Sequence, residues 1–267
     1  MEELTDAELE RRVLAGLHDE IALFGSCSPT ARVIRRSGLT ASVSPATPER
    51  SLFNSVYADD PDELPGMLDE LEATYAAAGV SAWTVWVPAE HPAGTGILAE
   101  RGHVLDGAPR SMGLALADLR PPERELPEGV ELRPARDLTE VGAVNDAAYG
   151  LDRAWGAALS GEPRVDVRWL VADDGGSAVA CAGAIGSGDD ICITGVATLP
   201  DRQGAGFASQ ILARLLADAA ERGLRTSTLQ ASRAGAPVYE RLGYRDVGNT
   251  EMWEKRAGGE PSSMPHH

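Results

Sequence analysis

Residues 203–208 read Gln203-Gly204-Ala205-Gly206-Phe207-Ala208, set between an apolar strand pattern and an apolar helix pattern. Upstream, residues 191–199 (Ile-Cys-Ile-Thr-Gly-Val-Ala-Thr-Leu) are β-branched and apolar, and Pro200 ends the run. Downstream, Ile211, Leu212, Leu215, Leu216 and Ala219 recur at helical spacing. A strand, a glycine-rich turn and a helix N-terminus together make an anion site. The glycines let backbone N–H groups approach a phosphate, and the helix dipole favours its charge. A dinucleotide turn needs its first glycine directly off the strand and a third one further on. Here residues 200–203 intervene and Ser209 takes the third position. A nucleoside triphosphate loop needs a lysine at its end, and none is present.

What does fit is Gln/Arg-x-x-Gly-x-Gly/Ala after a strand and a proline. This pattern resembles the pyrophosphate loop of the GCN5-related N-acetyltransferases, which bind acetyl-coenzyme A. A second motif follows about thirty residues later. Residues 226–231 alternate as a strand, and then comes a helix pattern in which Tyr239 precedes Glu240-Arg241-Leu242-Gly243-Tyr244. The segment resembles the last helix of that family, with Tyr239 at its general-acid position and Ser232 where many members carry asparagine.

The resemblance implies an α/β fold with mixed sheets and direct acyl transfer from acetyl-coenzyme A to a primary amine, most simply a small molecule. It implies that backbone N–H groups of Gly204, Ala205, Gly206, Phe207, Ala208 and Ser209 hold the pyrophosphate, with Gln203 able to hydrogen-bond a phosphate oxygen without adding charge. It also implies that Val196, Ala197 and Thr198 hold the pantetheine arm and thioester, with Ser232 completing the cofactor site. Gly195 reads as a bulge beside those contacts. Tyr239 would protonate the departing thiolate, since a phenol and a thiol have similar proton affinities. Some members carry a glutamate base on the strand before the loop. Cys192 stands there in this chain, and Asp190 and Asp146 are the carboxylates left as candidates. Two other functions stay open: transfer of a different acyl group or to a peptide, and coenzyme A binding without turnover.

The first half repeats the order strand, helix, strand, short helix, Gly-aromatic: Glu100-Arg101-Gly102-His103 stands beside Arg241-Leu242-Gly243-Tyr244. Where the second half has glycines, the first has Ala58-Asp59-Asp60-Pro61-Asp62-Glu63, whose charges repel a pyrophosphate. Leu98 replaces the tyrosine. The reading is two acetyltransferase-like domains: a degenerate copy over 1–120, a Pro-rich linker over 121–129, an acetyltransferase domain over 130–256, and a disordered tail over 257–267. Within the first, Thr5 and Glu8 predict a capped helix to residue 24, with a strand over 52–57, a helix over 62–78 and a strand over 81–87. In the second, strands are predicted over 130–134, 168–172 and 178–186, and a helix over 138–149.

The 267 residues carry 41 acidic and 24 basic side chains, a net charge of -17. That balance argues against nucleic acid as a partner and suits a cationic acceptor. Tyr149, Asp152 and Trp155, with Glu162 and Asp166, mix aromatics and carboxylates in one segment and are the acceptor-site candidates. Three cysteines, 27, 181 and 192, are too scattered for a disulfide framework. No histidine falls between His103 and His266, which disfavours a Ser/His or Cys/His hydrolase. No His/Cys/Asp/Glu set has metal-ligand spacing, so no metal is expected. The N-terminus lacks a signal pattern and no run has membrane-spanning length. The expectation is a cytoplasmic protein without membrane partner; a homodimer is admitted.

Overall fold

The computed structural model describes residues 4–89 and 91–257, so the tail predicted over 257–267 lies, beyond Ala257, outside the described residues. Helix α1 (Asp6–Phe24) opens the chain, with the Thr5 hydroxyl accepting from the Glu8 amide at 3.2 Å as its N-cap. A hairpin follows, β1 (Arg32–Arg36) and β2 (Leu39–Val43). Then come β3 (Ser55–Ala58), α2 (Leu64–Ala77), β4 (Ala82–Pro88), α3 (Pro92–Glu100), β5 (Val104–Gly107) and β6 (Arg110–Ala115). Residues 119–129 form neither helix nor strand. The second half runs β7 (Val130–Pro134), α4 (Leu138–Tyr149), α5 (Ala154–Ala158), β8 (Val167–Asp174), β9 (Ser177–Ser187) and β10 (Asp190–Thr198). It ends with α6 (Phe207–Glu221), β11 (Thr226–Ala231), α7 (Ala236–Leu242) and β12 (Arg245–Arg256).

Two predicted boundaries shift for local reasons. The strand expected from residue 52 starts at Ser55, because Ser51–Phe53 form a 3-10 turn held by Asn54. The Asn54 side chain accepts from the Ser44 amide at 2.7 Å and donates to the Thr47 and Arg50 carbonyls at 3.0 Å. The helix expected from residue 62 starts at Leu64, after a 3-10 turn over Pro61–Glu63 capped by Asp60. The hairpin β1–β2 and the strands β5, β6 and β12 are additional to the sequence reading.

The mixed α/β fold is as expected, and the strands of both halves join in one twelve-stranded sheet ordered β1-β2-β3-β4-β12-β6-β11-β10-β9-β8-β7, with β5 also on β12. The pairs β3/β4 and β10/β11 are parallel, and the others are antiparallel. Two strands cross between halves. β6, from the first half, pairs with β11 over its whole length, Thr226↔Ala115 to Ala231↔Arg110. β12, at the chain end, pairs with β6 near its start and with β4 from Thr250 to Arg256, its register shifting between Asp246 and Gly248.

The apolar stripe of α6 predicted from the sequence, Ile211 to Ala219, is buried with Ile191 and Ile193 of β10. Alternate residues of a strand face opposite sides of a sheet, so Cys192 joins a different cluster with Leu23 and Phe24 of α1. Helix α1 packs on β2, β6, β10 and β11 and so touches both halves. Among the described residues no helix is long and apolar enough to cross a membrane.

His103, the aromatic after Gly102, is buried beneath Trp83, with ring centroids 4.7 Å apart edge to face. Among the described residues no side chain is hydrogen-bonded to either ring nitrogen. Burial, aided by the nearby Lys255 charge, pushes its pKa down to about 4. The unfolded chain therefore binds this proton more readily than the folded one. The stabilisation is complete above about pH 6.5 and is lost as pH falls toward 4, by roughly 3 kcal/mol. Urea unfolding of wild type and His103→Leu at pH 7.5 and pH 5 should show a wild-type loss larger than that of the variant; equal losses would contradict this assignment.

Candidate active site

The first turn of α6 is built for close approach. Gly204 and Gly206 take φ +76° and +92°, and Gly206 is the N-cap, which offers no side chain to the first helical amides. Such left-handed backbone is strained for any residue with a Cβ. The freed N–H groups of the turn open on a cleft of about 1290 Å³. The irregular segment 119–129 crosses beside this turn: the Arg124 guanidinium donates to the Gly204 carbonyl, and the Arg124 carbonyl accepts from Gln210 at 2.5 Å.

The strand leading into the turn is distorted where the sequence predicts it. β10 pairs with β9 through Thr194↔Gly183, breaks register, and resumes at Ala197↔Cys181. On its other side β10 pairs with β11 only from Asp190 to Cys192. Beyond Cys192 the two parallel strands are no longer paired, and the cleft is lined there by residues 193–198. Gly195 sits in the bulge at φ +56°. A Cβ there would meet the Trp169 ring at 2.6 Å, so conformation and space both require glycine.

Tyr239 on α7 lines the same cleft and is only 7% exposed. A Cβ at Gly235 would meet its ring at 3.1 Å, so that glycine leaves the phenol its place. The hydroxyl makes no hydrogen bond to any described residue. Burial, then the charges of Tyr149 and Glu20, hold it well above the ordinary phenol pKa, which keeps the proton on.

The cleft gathers Val196, Ala197, Thr198, Gln203, Gly204, Gly206, Phe207, Ala208, Ser209, Ser232 and Tyr239. Ala205 is not among its lining; it packs toward the core under α6. Ser232 Oγ accepts from the Gly235 amide at 3.1 Å. Among the acceptor candidates, Tyr149 and Trp155 line the cleft, whereas Asp152 is exposed and outside it. Tyr149 donates its hydroxyl to the Val196 carbonyl at 3.0 Å, and burial raises its pKa to about 12 although 44% of the residue is exposed. Trp155 is a wall, edge-on to Phe24 and Phe53 at 5.7 and 5.1 Å.

The carboxylates proposed as bases from the sequence are occupied elsewhere. Asp146 accepts from the Trp155 and Gly156 amides at 2.8 and 3.0 Å and so caps α5. Asp190 is buried at the start of β10 and accepts from Thr228 Oγ1 at 2.6 Å; burial raises its pKa to about 6. Neither lines the cleft. Cys192 is buried, its thiol raised by burial and packed against α1. A carboxylate does enter the cleft, from the first half: Glu20 of α1, whose Oε1 accepts from Thr194 Oγ1 at 2.5 Å. Burial raises its pKa, and the Thr194 hydrogen bond opposes that rise. No local sequence signal marks Glu20, since its partner is 174 residues away. The fold also brings Asp60, Asp62 and His91 within 4.8 Å of one another, a grouping that sequence spacing does not show. Asp60 and His91 there cap the Asp62 and Gly94 amides.

Residues 166–246, from β8 into β12, match the acetyltransferase (GNAT) domain family. Over this stretch, which is under half of the chain, the protein is similar to a GNAT acetyltransferase domain. Its fold is similar to a GCN5-related N-acetyltransferase from Kribbella flavida, with TM-score 0.68 and 19% identity over 92% of this chain and 95% of that one. A conserved protein of unknown function from Staphylococcus epidermidis gives TM-score 0.62 and 17% identity over 84% and 92%. A tandem GNAT protein from the clavulanic acid pathway gives 0.55 and 12% over 95% and 97%. At these identities the likeness is one of fold. No curated protein sequence matches the chain significantly. The GNAT match includes the glycine turn, the bulge and Tyr239.

Replacing Gly195 with alanine should unfold the protein at lower denaturant, by about 2–3 kcal/mol, from overpacking plus backbone strain. Guanidinium titration checks this; a change below about 0.5 kcal/mol would mean that the bulge relaxes freely.

Proposed function

We infer that this protein is an acetyl-coenzyme A-dependent N-acetyltransferase acting on a primary amine, of small-molecule size. The supporting observation is the convergence in one cleft of an uncapped glycine turn, a strand splayed at a bulge, and a phenol without a protein partner. Acetyl-coenzyme A would bring an activated thioester carbonyl to this cleft. The N–H groups of residues 204–209 and the α6 dipole suit its pyrophosphate, and Gly204 and Gly206 leave the room that this contact needs. The backbone of residues 196–198, at the splayed edge, suits the extended arm and polarisation of the thioester oxygen. Tyr239, protonated at all working pH values, would donate to the departing sulfur.

The first half is read as a degenerate copy of the same unit, spanning about 1–120, with the acetyltransferase domain over 130–256. In support, β3–α2–β4–α3–β5 repeats the order β10–α6–β11–α7–β12, each with one parallel pair. Its turn carries Asp59, Asp60, Asp62 and Glu63 in place of glycines, and Leu98 is buried without a hydroxyl to give.

Thiol release from acetyl-coenzyme A, followed with a panel of primary amines, tests the reading. Wild type should turn over at least one amine, and Tyr239→Phe should lower kcat by about 10²-fold or more while acetyl-coenzyme A still raises Tm. Binding without turnover on any amine would favour a coenzyme A-binding regulator. Gly206→Val should abolish the rise in Tm that acetyl-coenzyme A gives to wild type; an undiminished rise would remove the turn from the binding site.

A further inference from the structure

Helix α1 packs along strand β10. Arg12 donates to Asp189 at 2.7 Å, one residue before β10. One turn on, Gly16 lies so close to Cys192 that a Cβ would meet the cysteine Cβ at 2.9 Å. One turn further, Glu20 accepts from Thr194 at 2.5 Å. From Gly16 to Glu20 four helical residues rise about 6 Å, and from Cys192 to Thr194 two strand residues rise about 6.7 Å, so the two elements stay in step over this last turn. A glutamate at position 192 would have its side chain driven into Gly16. A carboxylate therefore reaches this strand from the facing helix, at the next same-face position, where β10 has left β11 and the cleft begins.

We propose that Glu20, on the first helix of the other half, is the general base of the acetyl transfer. The inference rests on the acyltransfer reading above. As the acceptor nitrogen forms its bond to the acetyl carbon, Glu20 takes the nitrogen's proton. The C–S bond then breaks, the sulfur keeps its electron pair, and Tyr239 supplies the proton that converts it to the thiol. Glu20 releases its proton to water and Tyr239 regains one, so each turnover is balanced. The carboxylate suits proton abstraction in three ways. Burial raises its proton affinity, no basic side chain is hydrogen-bonded to it, and Tyr239 feels its charge.

Titratable groups also face α1 from the elements packed against it. β10 brings Asp190 and Cys192, β9 Cys181 and β3 Tyr57, while β2 and β11 bring none. Arg110 of β6 is paired with Glu240 and Asp246. On β12, Arg245 pairs with Asp6, Lys255 with Glu72 and Arg256 with Glu254, and Glu251 accepts from Trp253. On α1 itself, Asp19 lies 3.9 Å from Arg35 and His18 bonds Thr40 and Asp59.

The test uses the full chain, with acetyl-coenzyme A and two acceptor amines of different basicity. Glu20→Gln, which keeps shape, should lower kcat about 10²-fold or more, with KM for acetyl-coenzyme A and the ligand-induced rise in Tm unchanged. Wild-type kcat should fall on the acid side along a limb that stays in place when the amine is changed; Glu20→Gln should lose that limb. Thr194→Val removes the hydrogen bond that favours the charged carboxylate, so the limb should move to higher pH. Retention of kcat within threefold in Glu20→Gln, or a limb that follows the amine and survives in the variant, overturns the proposal and leaves the acyltransfer reading intact. Absence of thiol release by wild type with every amine overturns that reading, and this assignment with it.

Discussion

The contact between Gly16 and Cys192 is the constraint around which the molecule is arranged. It needs a helix residue without a side chain and a small strand residue opposite it. With these in place α1 lies directly on β10, and the same helix touches β2, β6 and β11. Arg12 anchors one end, bonded to Glu8, Asp189 and Thr226 within 2.8 Å. Phe24 anchors the other, edge-on to Phe53 and Trp155. A bulkier residue at either Gly16 or Cys192 would push the helix outward and carry Glu20 away from Thr194.

Strand exchange reinforces this arrangement. β6 leaves the first half to lie between β11 and β12, and β12 leaves the second half to reach β4. Backbone polar groups on these edges are satisfied only across the exchange. The cleft lies along this seam. Its second-half wall is the glycine turn, β10 and Tyr239, and its first-half wall includes Glu20, Phe24, Leu52 and Trp86. The sheet thus holds both walls in one hydrogen-bonded frame.

Part of this was legible in the chain itself. The glycine turn, the amphipathic α6, the bulge at Gly195 and the helix bearing Tyr239 are local, carried by glycine conformation and by periodicities of two and 3.6 residues. The mixed α/β class came with the family resemblance that these motifs carry. The strand order did not, because β6 and β12 carry short, mixed patterns whose partners are more than a hundred residues away. The acceptor-segment reading divided for the same reason. Trp155 and Asp152 are three residues apart and alike in local context, yet one is buried among Phe24 and Phe53 and the other faces solvent. Asp146 reads as a free carboxylate until α5 folds onto it and donates two amides.

The sequence alone therefore determined the elements whose geometry is set by neighbours a few residues away: an anion-binding turn, a kinked strand and a tyrosine on a short helix. Tertiary structure decided which groups meet there. Position 192 is cysteine, and the carboxylate that β10 does carry, Asp190, lies outside the cleft; one enters the cleft because a glycine on α1 lets that helix close on the strand. Local rules fix backbone shape through sterics and short hydrogen-bond cycles. The meeting of Glu20 with Thr194, 174 residues apart, depends on packing that no local pattern encodes.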